Sequence, residues 1–249
     1  MRIEFLLKTE KLPIIYRHRF LALIKEALSI SDNNLKNHFY PEENSTKSKI
    51  TKPFSFAVTL PKGKELKKET VKIDKDIEIE EDVFHFSTNS FLRFFVTSYD
   101  YNFMVSLYNG MISLKEFELF EGIKIEIAKV ILLKEKNISQ NKVRFKTLSP
   151  ILVEDKDGKP VLPDNGNIED FNRELNIIEG KIKNELLKSG LKGELELNPL
   201  KIDKEKVKLS IRGQRKENPF LIFTPFRGTF ELTGDKEDLN FLYQKGIGL

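Results

Sequence analysis

Twice along this chain of 249 residues the hydrophobic period changes in the same order, and that repetition narrows the folds open to it more than any single motif. Arg2 to Lys8 alternates, with Ile3, Phe5 and Leu7 on one side, and predicts a strand ended by Leu12-Pro13. From about Tyr16 to Ile30, Phe20, Ile24, Ala27 and Leu28 fall on one helical stripe. Ser31-Asp32-Asn33 stops that helix and can cap a short second one, Asn34 to Tyr40, closed by Pro41. Phe54, Phe56 and Val58 give a strand, Val71 to Ile79 a weaker one and Phe84 to Val96 a strong one. Tyr99 to Met111 has helical spacing, and Phe117 to Leu133 alternates again. This β–α–β–β–α–β order is that of a ferredoxin-like unit.

A second round starts near Val143. Arg144 to Ile151 is a strand and its exit, and Ile168 to Ser189 is helical, with Phe171, Leu175, Ile178, Ile182 and Leu186 in line and Gly190 as the expected C-cap. Glu194 to Leu200, Val207 to Arg212, Phe220 to Phe223 and Thr229 to Leu232 read as strands, and Asp235 to Lys245 as a last helix. The expected class is α+β: two tandem ferredoxin-like (RRM-like) βαββαβ domains, residues 1–138 and 139–249, the second lacking its last strand in this chain. The missing strand leaves an open sheet edge, at which a second copy could pair as a homodimer.

Composition excludes more than it selects. Without cysteine there is neither a disulfide nor a thiolate zinc site, and the three histidines, His18, His38 and His85, have no metal-binding spacing. We therefore expect no metal and no cofactor. The start of the chain is too short and too charged for a signal peptide, and no apolar run reaches the roughly 18–20 residues of a membrane span; a cytoplasmic protein is expected. The net charge of +4 is compatible with a nucleic-acid partner without requiring one. Lysines crowd between Lys47 and Lys72, next to an acidic stretch from Asp74 to Asp82; a solvated loop and strand edge explains both as well as a binding face does.

Among chemistry-bearing residues, His38 is a candidate acid/base because imidazole as a group type suits proton transfer near neutral pH, and it also reads as an ordinary surface histidine on a short helix. Lys52, just before a strand, is of a kind usually solvated. His18 reads as a surface or capping residue, and His85, between Phe84 and Phe86, as a packed strand histidine. Arg212-Gly-Gln-Arg215-Lys216 between two strands is a basic hairpin tip. Gly246-Ile-Gly248 after the last helix exposes backbone N–H groups to an anion, or is a simple helix-ending turn.

Several segments, in this order, resemble the CRISPR-associated repeat-RNA endoribonucleases of the RAMP superfamily. They are Tyr16-Arg17 with Leu23-Ile24 and Ala27-Leu28, Leu35 to Tyr40, Thr51 to Phe56, Asp100 to Gly110, Thr147 to Ile151, and the final strand–helix–glycine segment from Gly228 to Leu249. The resemblance implies a metal-independent cut in precursor CRISPR RNA, maturing guide RNA. The 2′-OH attacks the neighbouring phosphate to leave 2′,3′-cyclic phosphate and 5′-OH ends. It implies CRISPR repeat RNA as partner, with other subunits of an effector complex beside it, and equally allows a non-catalytic RNA-binding subunit. On the family pattern His38 is the acid/base and Lys52 the charge stabiliser, with Tyr40 and Lys25 assisting. Arg17, Arg19, Arg212, Arg215, Lys216, Arg227, Gly246 and Gly248 hold RNA. Tyr40 also competes for the histidine's slot, because two residues on a helix turn a side chain by about 200°. In the family the glycine segment continues into a second glycine cluster and a closing strand, so weaker RNA binding than in a complete relative is expected.

Overall fold

A computed structural model describes residues 1–41, 50–74, 77–164, 166–210 and 220–248. In the first unit the elements are β1 (Arg2–Lys8), β2 (Lys11–Pro13), α1 (Arg17–Ser31), α2 (Asn33–Phe39), β3 (Phe54–Thr59), β4 (Glu65–Asp74), β5 (Ile77–His85), β6 (Leu92–Ser98), α3 (Tyr101–Leu114), β7 (Glu116–Phe120) and β8 (Ile123–Leu132). The second unit has β9 (Lys142–Lys146), α4 (Ile168–Leu187), β10 (Glu196–Lys204), β11 (Val207–Ser210), β12 (Phe220–Phe223), β13 (Phe226–Thr233) and α5 (Lys236–Lys245).

The first sheet runs β3-β6-β1-β8, all neighbours antiparallel, with β7 added beside β8. Each βαβ crossover skips one place and the other unit's strand fills it, which is the split arrangement of a ferredoxin-like fold. On one face Ile3, Phe5 and Leu7 lie opposite Val96, Phe94 and Leu92, and all six are buried under α1 and α3. The second sheet, β10-β13-β9, repeats the first three strand places, and among the described residues it has no fourth strand. Its core gathers Phe171, Leu175, Leu197, Phe226, Phe230 and Leu232. We place the division between the units in the connector from β8 to β9; Ile138, expected in the first unit, packs into the second core.

Helix ends follow the caps in the sequence. Asp32 accepts the Leu35 N–H at 2.9 Å, Asp100 the Phe103 N–H at 3.1 Å and Asp235 the Glu237 N–H at 2.8 Å.

Several expectations need correction; Phe117 to Leu133, for one, is the antiparallel β7–β8 pair and not a single strand. The segment from Val71 to Ile79 is not one strand: Val71–Asp74 ends β4 and Ile77–Ile79 begins β5, and the two pair antiparallel. Phe84 to Val96 is broken by a turn in which the Ser90 N–H reaches Ser87 O at 3.0 Å, because Ser87-Thr-Asn-Ser90 favours a turn over a ladder. Helix α4 closes with Lys188, not Gly190, in the left-handed region (φ 55°). Its buried face is Phe171, Leu175, Glu179, Ile182 and Lys183, rotated from the all-apolar stripe through Ile178 and Leu186. The rotation is compensated by α5, which offers Lys245 to Glu179 and Asp238 to Lys183, the latter at 2.5 Å.

His85 is half-buried on β5 and faces Glu69, a carboxylate that also binds Lys11. Among the described residues no helix is long and apolar enough to cross a membrane.

Helices α1 and α3 touch where Gly110 meets Ala27. A Cβ on Gly110 would stand 1.9 Å from the Ala27 carbonyl oxygen, so only glycine allows this approach. We expect Gly110→Ala to destabilise the protein by about 2–3 kcal/mol or more, as overpacking against backbone does; urea unfolding measures it, and an unchanged midpoint would refute the close packing.

Candidate nucleic-acid interface

The two units enclose a cleft of about 600 Å³ where the start of α1, the start of β3, the 149–152 segment, the base of the β11–β12 hairpin and the end of α5 converge. Its walls are largely apolar, with Phe54, Phe56, Pro150, Leu152, Val207 and Phe223 among them. Its polar groups include the ionisable Arg17, His18, Lys52, Arg227 and Lys245 beside the hydroxyls of Thr51, Ser55 and Ser149. Residues far apart in sequence, Arg17, Lys52, Arg227 and Gly248, thus meet in one place. His18, in the first turn of α1, joins them, with its ring edge-on to Phe120 at 5.9 Å. His38 does not line this cleft.

Arg17 and Arg227 come from different units and share one carboxylate. Glu205 Oε1 accepts from Arg17 Nη2 at 3.1 Å, and its Oε2 accepts from Arg227 Nε. Arg227 also donates to Leu148 O at 3.2 Å.

Lys52 reaches from the cleft toward the end of α2. Its Nζ donates to Phe39 O and, at 3.3 Å, to Ile50 O, and it stands 4.6 Å from the centre of the Tyr40 ring. Partial burial lowers the pKa of its ammonium below the usual lysine value. Lys25, exposed on α1, approaches the same ring from 5.9 Å. Tyr40 places its hydroxyl in the interior with no hydrogen-bond partner among the described residues, and burial raises its pKa. Tyr40, Lys25 and Lys52 therefore do form a cluster. His38 is exposed, its ring edge-on to Phe39 at 5.0 Å, so the half-turn between positions 38 and 40 sends the two side chains to different surroundings.

The glycine turn differs from the expectation. Gly246 donates its N–H to Leu242 O at 2.8 Å, which ends α5, and Gly248 donates its N–H to Glu179 Oε1 at 2.6 Å. Neither N–H is left for an incoming phosphate, because an internal carbonyl and an internal carboxylate take them. Both glycines are required by packing: a Cβ at Gly246 (φ 97°) would lie 2.1 Å from Ser55 Oγ, and one at Gly248 (φ 81°) 2.7 Å from Leu152 O. Lys245 completes the knot, donating to Glu179 Oε2 at 3.1 Å and to Gly248 O at 3.3 Å. Burial raises the Glu179 pKa and the ammonium beside it opposes the rise.

Residues 133–249 match the family model of the CRISPR-associated protein Cas6, C-terminal. Over those residues the chain is similar to the Cas6 C-terminal family. Solved structures similar to the whole chain agree in fold. One is a Cas6-related protein from Pyrococcus furiosus (TM-score 0.72, 17% identity, covering 100% of this chain and 93% of that one). Another is described as a RAMP protein binding different RNA substrates (0.69, 18%, 100% and 94%) and a third as CRISPR associated protein Cas6 (0.65, 18%, 100% and 93%). No curated protein matches by sequence. The resemblance to CRISPR-associated RAMP proteins drawn from the sequence is thereby borne out.

Within this Cas6-type architecture the other expected RNA contacts divide. Arg19 faces away from the cleft, its guanidinium donating to Leu119 O and, at 3.1 Å, to Glu118 O, so it braces α1 on β7. Arg212, Arg215 and Lys216 lie outside the described residues. A second groove of about 490 Å³ runs between the two units, lined by Arg2, Lys136, Arg144 and Lys146. The sequence reading did not single these out, although the alternation Lys142-Val-Arg144-Phe-Lys146 already put three cations on one strand face.

Removing Lys245 should strand the Glu179 carboxylate in the interior. We expect Lys245→Met to cost about 3–5 kcal/mol at neutral pH, the range for one broken partner of a buried pair. Without the ammonium the folded-state pKa of Glu179 stays above its unfolded value, so the penalty is full above the folded value and shrinks as pH falls toward the unfolded one. Urea unfolding at several pH values tests this; a deficit independent of pH would refute it.

Proposed function

We propose that this protein binds CRISPR repeat RNA in the cleft between its two units and cuts it without a metal ion. The observation that carries the reading is the meeting of Arg17, Lys52 and Arg227, from three distant segments, at one apolar-walled cleft of a Cas6-type fold. RNA brings its own nucleophile, the 2′-OH next to the scissile phosphate. A base must take the 2′-OH proton, an acid must protonate the leaving 5′-oxygen, and a cation must steady the charge gathering on phosphorus. The 2′-oxygen forms its bond to phosphorus as the bond to the 5′-oxygen breaks, giving a 2′,3′-cyclic phosphate and a 5′-OH.

Lys52 is assigned the cation's role, its desolvated ammonium acting at lower dielectric than a surface lysine would. His38, one residue before the carbonyl that holds Lys52, is assigned the proton transfer. Tyr40 keeps its proton and donates a hydrogen bond, and Lys25 adds positive field. Arg17 and Arg227 hold phosphates flanking the cut. The protein acts in the cytoplasm, alone, as a homodimer, or beside other subunits of an effector complex.

A second reading, a non-catalytic RNA-binding subunit, is favoured by one observation: the imidazole of His38 is exposed and outside the cleft that holds Lys52. Repeat RNA incubated with the protein in EDTA separates the two. Cutting to cyclic-phosphate ends, abolished in His38→Ala with binding retained, supports the enzyme; a band shift with intact RNA supports the binder.

If Lys52 stabilises charge, its low pKa fixes the alkaline side of the pH–rate profile. Rising pH strips its proton earlier than from an exposed lysine, so the rate should begin to fall below the ordinary lysine range. Lys52→Arg, which stays protonated, should move that fall to higher pH, and a profile the two proteins share would remove Lys52 from the chemistry.

A further inference from the structure

The bridge between Arg17, Glu205 and Arg227 has no role in the scheme above, yet it occupies the two guanidiniums assigned to phosphate. We infer that Glu205 is a built-in stand-in for an RNA phosphodiester: it orders the two arginines while the cleft is empty and is exchanged for phosphate when RNA enters. The inference rests on the cleft being the RNA site.

Three features support it. The two carboxylate oxygens divide between the two guanidiniums, one each, as two non-bridging oxygens of a single phosphodiester would. Glu205 lies in the two-residue turn between β10 and β11, and its backbone N–H is fixed to Pro225 O at 2.9 Å, so the side chain can swing away without moving the strands. All three side chains remain open to water, at 20% exposure for Arg17, 31% for Glu205 and 37% for Arg227, so a phosphate can reach the guanidiniums from solvent.

An anion must therefore displace a resident anion. A lone phosphate competes poorly with a tethered carboxylate, whereas an RNA strand held at further points gains enough to win. The device discriminates against short and non-specific anions and keeps two long cationic side chains from collapsing in the empty cleft. It also predicts that neutralising Glu205 strengthens binding, where an ordinary structural ion pair would weaken it or leave it unchanged.

The test is the affinity of the full chain for repeat RNA and for inorganic pyrophosphate, compared with Glu205→Gln. We expect the variant to bind RNA about three- to tenfold tighter and pyrophosphate tighter by at least as much, with a steeper loss of RNA affinity as salt rises. The gain should vanish in the double variant E205Q/R227Q. If E205Q melts below the assay temperature, Glu205→Asp serves instead: its shorter carboxylate cannot span both guanidiniums, and a smaller gain is expected. A folded E205Q or E205D that binds RNA no tighter than the parent overturns the inference, and so does a gain that persists in the double variant. A parent protein with no RNA affinity sinks the reading of the cleft itself, which is a different result.

Discussion

Glu179 has no solvent exposure, and its carboxylate is held between the Lys245 ammonium and the Gly248 N–H. A charge so placed is costly unless every partner is present, and breaking such a pair is worse than never having built it. Its return lies in geometry rather than in net stability. With the turn after α5 locked, Gly246 sits against Ser55 of β3, Gln244 O accepts from Thr97 Oγ1 at 2.7 Å, and Tyr243 accepts from Arg2 at 2.8 Å. Those contacts seat the end of α5 across β3, β6 and β1, on the face of the first sheet turned away from α1 and α3. The neighbouring pair of Lys183 and Asp238, with Asp238 also accepting the Lys192 N–H at 2.7 Å, fixes the other end of the same helix pair.

The cleft combines apolar walls with cations. Apolar lining lowers the local dielectric and raises the worth of each charge pair, while removing the water that would otherwise compete for phosphate oxygens. An empty site of that kind would hold unpaired guanidiniums close together. Glu205 relieves the repulsion, and its carboxylate thereby links the first turn of α1 to β13 of the second unit. A further bridge, Lys208 to the buried Glu81 at 2.6 Å, ties the inserted hairpins of the two units in the same way.

Much of the fold was legible because local periodicity and global topology agree. The strands β1 and β3, the helices α1 and α3 and the Asp caps follow directly from spacing and side-chain chemistry. The inserted β4–β5 hairpin was blurred because alternation alone does not mark where a strand turns. The buried face of α4 was misread for a different reason. Pattern reasoning assigns Glu179 and Lys183 to solvent, and only the partners on α5, far along the chain, make their burial affordable. The same holds for the glycine turn, where the sequence shows Gly-x-Gly but not the carboxylate already bound to it. At the site, Arg17, Lys52 and Arg227 could be named in advance; that they meet, and that His18 rather than His38 lies with them, depends on the docking of the units, which no local signal carries.

Position 40 shows how burial assigns a chemical role. A tyrosine whose pKa is raised by desolvation holds its proton throughout the neutral and mildly alkaline range. It can orient or donate, but it cannot remove a proton from a 2′-OH. The lysine above its ring is pushed the other way by the same desolvation. Burial thus drives the two pKa values apart, the phenol upward and the ammonium downward, without giving either a charge change near neutrality. A catalytic reading of this cleft needs an imidazole to bridge that gap, because only a group titrating near neutral pH can both accept and return the proton in one turnover. The fold presents two histidines to choose from, one exposed beside the Lys52 anchor and one already in the cleft, and the geometry of the scissile phosphate decides between them.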